Sequence, residues 1–224
     1  MPKLVEIPEP LRRRLYLPAY GVSEAARYAG VHPTTVARWH YHVGKYKTAV
    51  LPGKEKGKPL SYFQLTEVGV VATFRRLGVS LKKIRKARDY VATTLQSEFP
   101  FVEYEFQQHG HHMLMELQQA EPDSELDALI IADAAGQMTW SPPVSTRLLE
   151  FDYEFDVAMK WHVAGRNSSI VIDPRVSFGA PNVGGIPTWI LSGRKIAGES
   201  NEEIAQDFGL ELHLVKQALA FEGT

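Results

Sequence analysis

The chain has 224 residues, 44% of them apolar, enough to bury a real core in one large or two small domains. Cysteine is absent, which excludes disulfides and thiolate metal sites and leaves the redox compartment open. The net charge of −1 conceals a division: residues 1–90 hold 18 Lys/Arg against 6 Asp/Glu, and residues 91–224 hold 7 against 20, a net of +12 followed by −13.

A basic half of this kind points to nucleic acid, and the acidic half to a basic partner or to shielding of its own basic half. No apolar run approaches the ~18 residues of a membrane span. Arg12, Arg13 and Arg14 are not followed by the apolar core of a secretory signal. A cytoplasmic protein with no membrane partner is expected.

Residues 1–19 read as an arm whose three arginines either touch phosphate or are solvated. Residues 20–43, YGVSEAARYAGVHPTTVARWHYHV, predict two short helices joined by a tight turn. Ser23 suits a helix cap, Gly30 a turn at positive φ and Pro33 a first helical position. Small Ala26, then Gly30, then Val36 is the spacing of a helix-turn-helix, although an ordinary αα-hairpin fits it too. Val36, Trp39 and Val43 fall on one face of the second helix. Thr34, Thr35, Arg38 and His42 then point outward as candidate DNA contacts, with Arg27 on the first helix. Lys45 to Pro59 places five lysines around Pro52, Gly53 and Gly57, a basic hairpin or a solvated loop. As a wing, its lysines, Lys54, Lys56 and Lys58 among them, would add phosphate affinity and salt dependence. Ser61 and Gln64 predict a capping box opening a helix with Leu65, Val68, Val71 and Ala72 on its apolar face. Ser80 opens another, whose Ile84, Ala87, Val91 and Leu95 pack on their own domain or on a second copy.

Together YGVSEAARYAGVHPTTVARW, the basic loop and LSYFQLTEVGVVATFRRLGVSLKKIRKA, roughly residues 18–95, resemble a MerR-like DNA-binding domain. The resemblance implies a winged helix-turn-helix that binds DNA as a homodimer, at a palindromic site. The long dimerising helix of that family is cut short here by Pro100.

From Phe99 to Ile172 the pattern reads as period two. PFVEYEFQQ and HHMLMELQ predict a hairpin turning at His109–Gly110, and LDALIIADAAGQMTW a second pair of strands turning near Gly136. Leu149 to Val157 predicts a single strand, with Glu150, Asp152, Glu154 and Asp156 on one face. These four carboxylates are solvated, or dock a basic partner, or ligate a hard cation. The cation needs help from elsewhere, because same-face residues on a strand lie almost ~7 Å apart. His109, His111 and His112 match no zinc spacing. There is no GxSxG, P-loop or HExxH, and GAPNVGG lacks the strand–GxGxxG–helix setting. Neither enzyme activity nor a cofactor nor a metal is expected.

Toward the C-terminus, Ser200 and Glu203 form a capping box, and Ala205, Gly209 and Val215 repeat the spacing of Ala26, Gly30 and Val36. Here the surroundings are acidic: Glu199, Glu202, Glu203, Asp207 and Glu211. Phosphate repels such a surface, so this unit is expected to bind protein, its own copy or a partner. IDPRVSFGAP, GIPTWIL, AGESNEEIAQDFGL and VKQALAFE, about residues 170–222, resemble a small antitoxin module of uncharacterised-function type. That module occurs in VapB-like antitoxins that face PIN-like ribonuclease toxins. The loop before Ile186 is shorter than is common there.

The expected fold class is α+β, with an N-terminal, mostly α winged helix-turn-helix, a middle antiparallel β region and a C-terminal helical helix-turn-helix-like unit. Expected domains are 1–98 and 99–224. The resemblances imply an antitoxin that neutralises a cognate ribonuclease toxin through Glu150, Asp152, Glu154 and Asp156 and represses its own promoter. The alternative is a one-component MerR-like regulator that senses a small ligand and has no toxin partner. A nucleic-acid-processing enzyme built on the acidic strand is a third class.

Overall fold

The computed structural model describes residues 7–40, 49–51, 57–121 and 126–224. The first helix, α1 (Glu9–Tyr16), carries the arginine run. Arg12 and Arg13 both fold back onto Glu9, the i,i+3 and i,i+4 pairings that a helix surface brings together. α2 (Val22–Ala29) is capped by Gly21, whose N–H donates to the Glu24 carboxylate at 2.7 Å. The expected cap, Ser23, lies inside the helix because the chain turns helical two residues earlier. Gly30 ends α2 in the left-handed region at φ 66°. α3 (Pro33–His40) starts on Pro33 as the spacing predicts, and Val36 and Trp39 are buried. Val43 lies outside the described residues.

The core of the N-terminal part is α4 (Tyr62–Arg76), buried along nearly its whole length from Tyr62 to Phe74. Ser61 caps it in a reciprocal box with Gln64. α1, α2 and a short 3₁₀ turn, Pro100–Val102, pack around it. α5 (Leu81–Leu95) is capped by Ser80 and buries Ile84, Ala87 and Val91. Its apolar face packs on α6 (Tyr104–Ala120) of the same chain. Between α4 and α5 lies a fully buried ion pair: Arg88 donates to Glu67 at 2.9 and 3.2 Å, and also to the Glu98 carbonyl. Burial raises the Glu67 carboxyl above its ordinary value, and Arg88 opposes that rise.

α6 corrects the expected hairpin over 100–118. Phe106, Gly110, Met113, Leu114 and Leu117 are its buried residues, a helical and not an alternating spacing. Gly110 is no turn. A Cβ there would sit 2.5 Å from the Phe106 ring and 2.8 Å from Trp140, so glycine is required for close packing. The next expectation holds: β1 (Ile130–Ala132) and β2 (Met138–Trp140) pair antiparallel around Gly136. Asp133 accepts from the N–H groups of Ala135 and Gln137 and shapes the turn.

α7 (Pro142–Leu149) packs on α4, and the segment after it departs from the expected single strand. Leu149 ends α7, β3 runs Phe151–Glu154, and β4 runs Val157–Trp161. The two strands form a sheet of their own. The chain reverses at Phe155–Asp156, where both φ values are positive (53° and 61°), as a two-residue primed turn requires. The fold is thus α+β, mainly helical with small antiparallel strand pairs, and the expected middle β region is largely helix.

By compactness the chain divides into a unit of residues up to 149 with 153–158, and a unit of 150–152 with 159–224. Residues 99–149 therefore belong to the same unit as the N-terminal helices. In the second unit, extended chain at Val171 and Ile172 bridges Asn182 and Trp161. β5 (Asn182–Val183) and β6 (Ile186–Pro187) join through Gly184–Gly185, again both at positive φ. α8 (Thr188–Ile196), α9 (Asn201–Phe208) and α10 (Leu212–Glu222) close around Val183, Leu191, Ile204, Val215, Ala218 and Leu219. Ser200 and Glu203 form the predicted box, and Gly209 ends α9 at φ 63°.

Candidate functional site

In the first unit, α2, the turn Gly30–His32 and α3 are held as one piece. Val31 N–H returns to the Ala26 carbonyl at 2.9 Å. Arg76, from the end of α4, donates to the last carbonyl of α2, Ala29, at 2.9 Å, which satisfies an orphan group at a helix terminus. Beyond α3, Leu51 N–H donates to Trp39 and His40 Nδ1 lies 2.9 Å from the Leu51 carbonyl. Leu60 pairs with Tyr20 through bonds of 2.7 and 3.0 Å, so the chain after the basic loop returns beside the start of α2.

Of the expected DNA contacts, Thr34 and Arg38 are exposed and Thr35 is half-buried. Thr34 is already engaged: its hydroxyl lies 2.9 Å from His32 Nδ1, and its N–H donates to the same nitrogen at 3.3 Å. Capping by His32 was not read from the sequence, since histidine is not among the usual cap residues. Arg27 is exposed, its guanidinium 5.1 Å from the centre of the Tyr28 ring. Lys58 is exposed. His42, Lys54 and Lys56, and most of the expected wing, lie outside the described residues.

The four acids expected to share a strand face do not share one. Glu150 is buried and accepts from Trp161 Nε1 at 3.0 Å. Asp152 is surrounded by Lys160 (3.2 Å), His162 (3.1 Å) and Arg166. Burial works to raise its pKa, but hydrogen bonds from Arg166, His162 and Lys160 prevail and hold it well below the usual carboxylate range. Glu154 is half-buried at the end of β3, and Asp156 is exposed in the turn. The reversal at Phe155–Asp156 takes Asp156 off the strand, and β3 itself starts only after Glu150. Among the described residues no cluster of three or more His, Asp and Glu is arranged to hold a metal.

The three histidines lie on α6. Burial lowers the pKa of His111 first, and the neighbouring His112 and His109 lower it further. A cavity of about 240 Å³ opens between α6 and the β1–β2 hairpin, lined by Met115, Gln118, Gln119, Asp127, Ile130 and Met138. In the second unit, α9 exposes Glu202, Glu203 and Asp207. An exposed apolar strip on α8 was not foreseen. Its signal was present in GIPTWIL and KIAG, where apolar residues fall on both sides of the helix.

No helix among the described residues is long and apolar enough to cross a membrane. Residues 170–221 match the family described as "Protein of unknown function (DUF433)", which covers α8, α9 and α10. The whole chain is 23% identical to "Putative antitoxin VapB45" of Mycobacterium tuberculosis over 231 residues, covering 93% of this chain and 95% of that one. It also superposes on the crystal structure of Rv2018 from Mycobacterium tuberculosis with a TM-score of 0.79 and 22% identity, covering 92% of this chain and 99% of that chain. That likeness is one of fold.

Proposed function

We propose that the chain is the antitoxin of a toxin–antitoxin pair, binding and neutralising a PIN-like ribonuclease and repressing its own operon through DNA binding. The observation that carries the reading is the end-to-end similarity to a protein named as a VapB antitoxin. It spans both units and not merely the C-terminal module.

In this reading α2 and α3 form a winged helix-turn-helix of MerR-like type, with α3 in the major groove. Arg38 reaches a base edge or phosphate, Thr34 and Thr35 line the groove, and Arg27 and Lys58 contact phosphate. His42 and the lysines at 54 and 56 complete the set. The return of Leu60 to Tyr20 supports a wing, since it closes the basic loop beside α2. The protein acts as a homodimer on a palindromic site and has no catalytic role. Of the four acids, Glu150 and Asp152 are committed inside the second unit. Glu154 and Asp156 stay in the proposal as acids that face the toxin.

The test is co-expression with the product of the adjacent open reading frame. Rescue of growth together with co-elution is the expected result, and a harmless neighbour that does not co-elute sinks the reading. A second reading, a regulator that senses a small ligand, is favoured by the Met-lined cavity between α6 and the β1–β2 hairpin. Mobility shifts on its own promoter do not separate the two, because both predict DNA binding.

A further inference from the structure

A histidine completes the hydrogen bonding at the start of α3. Pro33, the first helical residue, has no N–H to satisfy. The N–H groups of Thr35 and Val36 both donate to the His32 carbonyl, at 2.9 and 3.4 Å. That leaves the Thr34 N–H as the orphan donor of this terminus, and it donates to His32 Nδ1 at 3.3 Å. His32 therefore holds the place that serine, threonine, aspartate or asparagine fills in most helices.

A backbone N–H can only donate, so the nitrogen that receives it carries a bare lone pair. The ring proton is then on Nε2, and the Thr34 hydroxyl, 2.9 Å from Nδ1, donates to the same lone pair. A protonated imidazole has a donor at both nitrogens. It cannot accept from Thr34, and it adds a positive charge at the positive end of the helix. A serine or asparagine cap has no such dependence, because its oxygen stays an acceptor. Among the described residues no carboxylate bonds His32 and holds its charged form in place. The charged groups that the packed elements bring to this turn are cations: Arg27 in the last turn of α2, and Arg76 of α4 on the Ala29 carbonyl. Glu24 is at the far end of α2, on the Gly21 N–H. His40, the other described histidine of α3, is buried at its far end against the Leu51 carbonyl.

The first turn of α3 carries Thr34 and Thr35, two of the proposed groove contacts, with Arg38 one turn further on. Val36 and Trp39 anchor the inner face of the helix, so its first turn is the part that depends on the cap. Without the cap that turn frays, and its side chains lose the backbone that aims them. We propose that His32 is a positioning residue for the DNA contacts of α3. Neutral, it fixes the start of the helix; protonated, it releases it. Promoter affinity then falls as the pH drops through the range in which histidine changes charge, about pH 8 to 5. This rests on the DNA-binding reading.

The test uses the full chain, a DNA fragment from upstream of its own coding sequence, and the variants His32→Asn and His32→Ala. Asparagine caps whatever the pH, so comparison with His32→Asn cancels the titration of every other histidine. The wild type and His32→Asn should bind alike at about pH 7.5. At about pH 5.5 the wild type should be about five-fold the weaker, the factor that loss of a cap corresponds to. His32→Ala should be about five-fold weaker than His32→Asn at both. A wild type that keeps pace with His32→Asn at both pH values overturns the inference. So does one that gains on it in acid, as a histidine set against phosphate would. Nitrogen NMR of the free protein reads the cap apart from DNA. The ring proton should be on Nε2, and the Thr34 amide shift should follow the titration of the ring; a proton on Nδ1 at about pH 7.5 also overturns the inference. If the wild type binds no DNA at either pH, the DNA-binding reading fails and the positioning role fails with it. If it binds and only the comparison with His32→Asn fails, that reading stands without this role.

Discussion

Two charged residues show how differently a carboxylate can be used in this chain. Glu67 and Arg88 are both buried, at 1% and 3% exposure, and each is tolerable there only because of the other. Removing one partner leaves an uncompensated buried charge, a loss of about 3–5 kcal/mol, whereas replacing both by apolar groups is often close to neutral. Arg88→Met should therefore lower unfolding free energy in urea far more than Glu67→Leu/Arg88→Met, and equal losses would mean the pair is not coupled. Asp152 is half-buried with Lys160, Arg166 and His162 against it, and its pKa is depressed. A depressed carboxylate stabilises the fold above its unfolded pKa of about 3.9 and loses that contribution as pH falls through the folded value. Asp152→Asn should cost about 1–2 kcal/mol at pH 7, discounted for partial exposure. The difference from wild type should shrink only below about pH 4. A gap already closing at pH 6 would contradict the assignment. Neither role was legible in the sequence: Asp152 sits in an alternating run that hides its partners at 160, 162 and 166, and Glu67 lies in a helix whose burial on every side no periodicity announces.

At the scale of elements, what could be read was whatever local chemistry decides. The Ser61–Gln64 and Ser200–Glu203 boxes, the Ser80 cap, the Gly30 and Gly209 terminations and the Gly136 turn all stand where the spacing placed them. The failures are places where packing overrode a local signal. Gly110 looks like a turn residue, but it is a helical position pressed against Phe106 and Trp140. Gly110→Ala should lower stability by about 1–3 kcal/mol, the usual cost of overpacking, where an exposed helical glycine would gain from the same change. The Phe155–Asp156 reversal failed in the opposite way, because Phe155 is no turn former and Asp156 without a following glycine is one acid in an alternating run. It is held from outside the hairpin: Tyr104 N–H donates to the Asp156 carbonyl at 2.8 Å, and the Tyr104 ring packs at a tilt on Tyr153, centroids 5.2 Å apart. Relieving the left-handed conformation with Asp156→Gly should raise the melting temperature, in keeping with a gain of about 1 kcal/mol. A loss would show that the Asp156 side chain matters more than its backbone.

For the molecule as a whole, the division of charge is the feature visible from the first count and the one that most constrains function. It distributes the two proposed roles: a basic N-terminal part for phosphate, and an acidic remainder whose own affinity for DNA is negligible. If that assignment holds, the affinity of the full chain for its promoter falls linearly with the logarithm of salt, with a slope near −0.9 for each phosphate neutralised. Arg38→Ala and Lys58→Ala should each reduce the magnitude of that slope by about 1. If Arg38 reads a base, its loss should also relax sequence preference, whereas loss of Lys58 should weaken all sequences alike. Lysine substitutions at Glu202 and Asp207 supply the control. On a surface remote from DNA they change neither slope nor preference, so a steeper slope would mean that the acidic module lies within reach of the duplex and that the two roles are not separate. Measured on one promoter fragment across a salt series, these variants place the phosphate contacts on α3 and the basic loop or remove them from there.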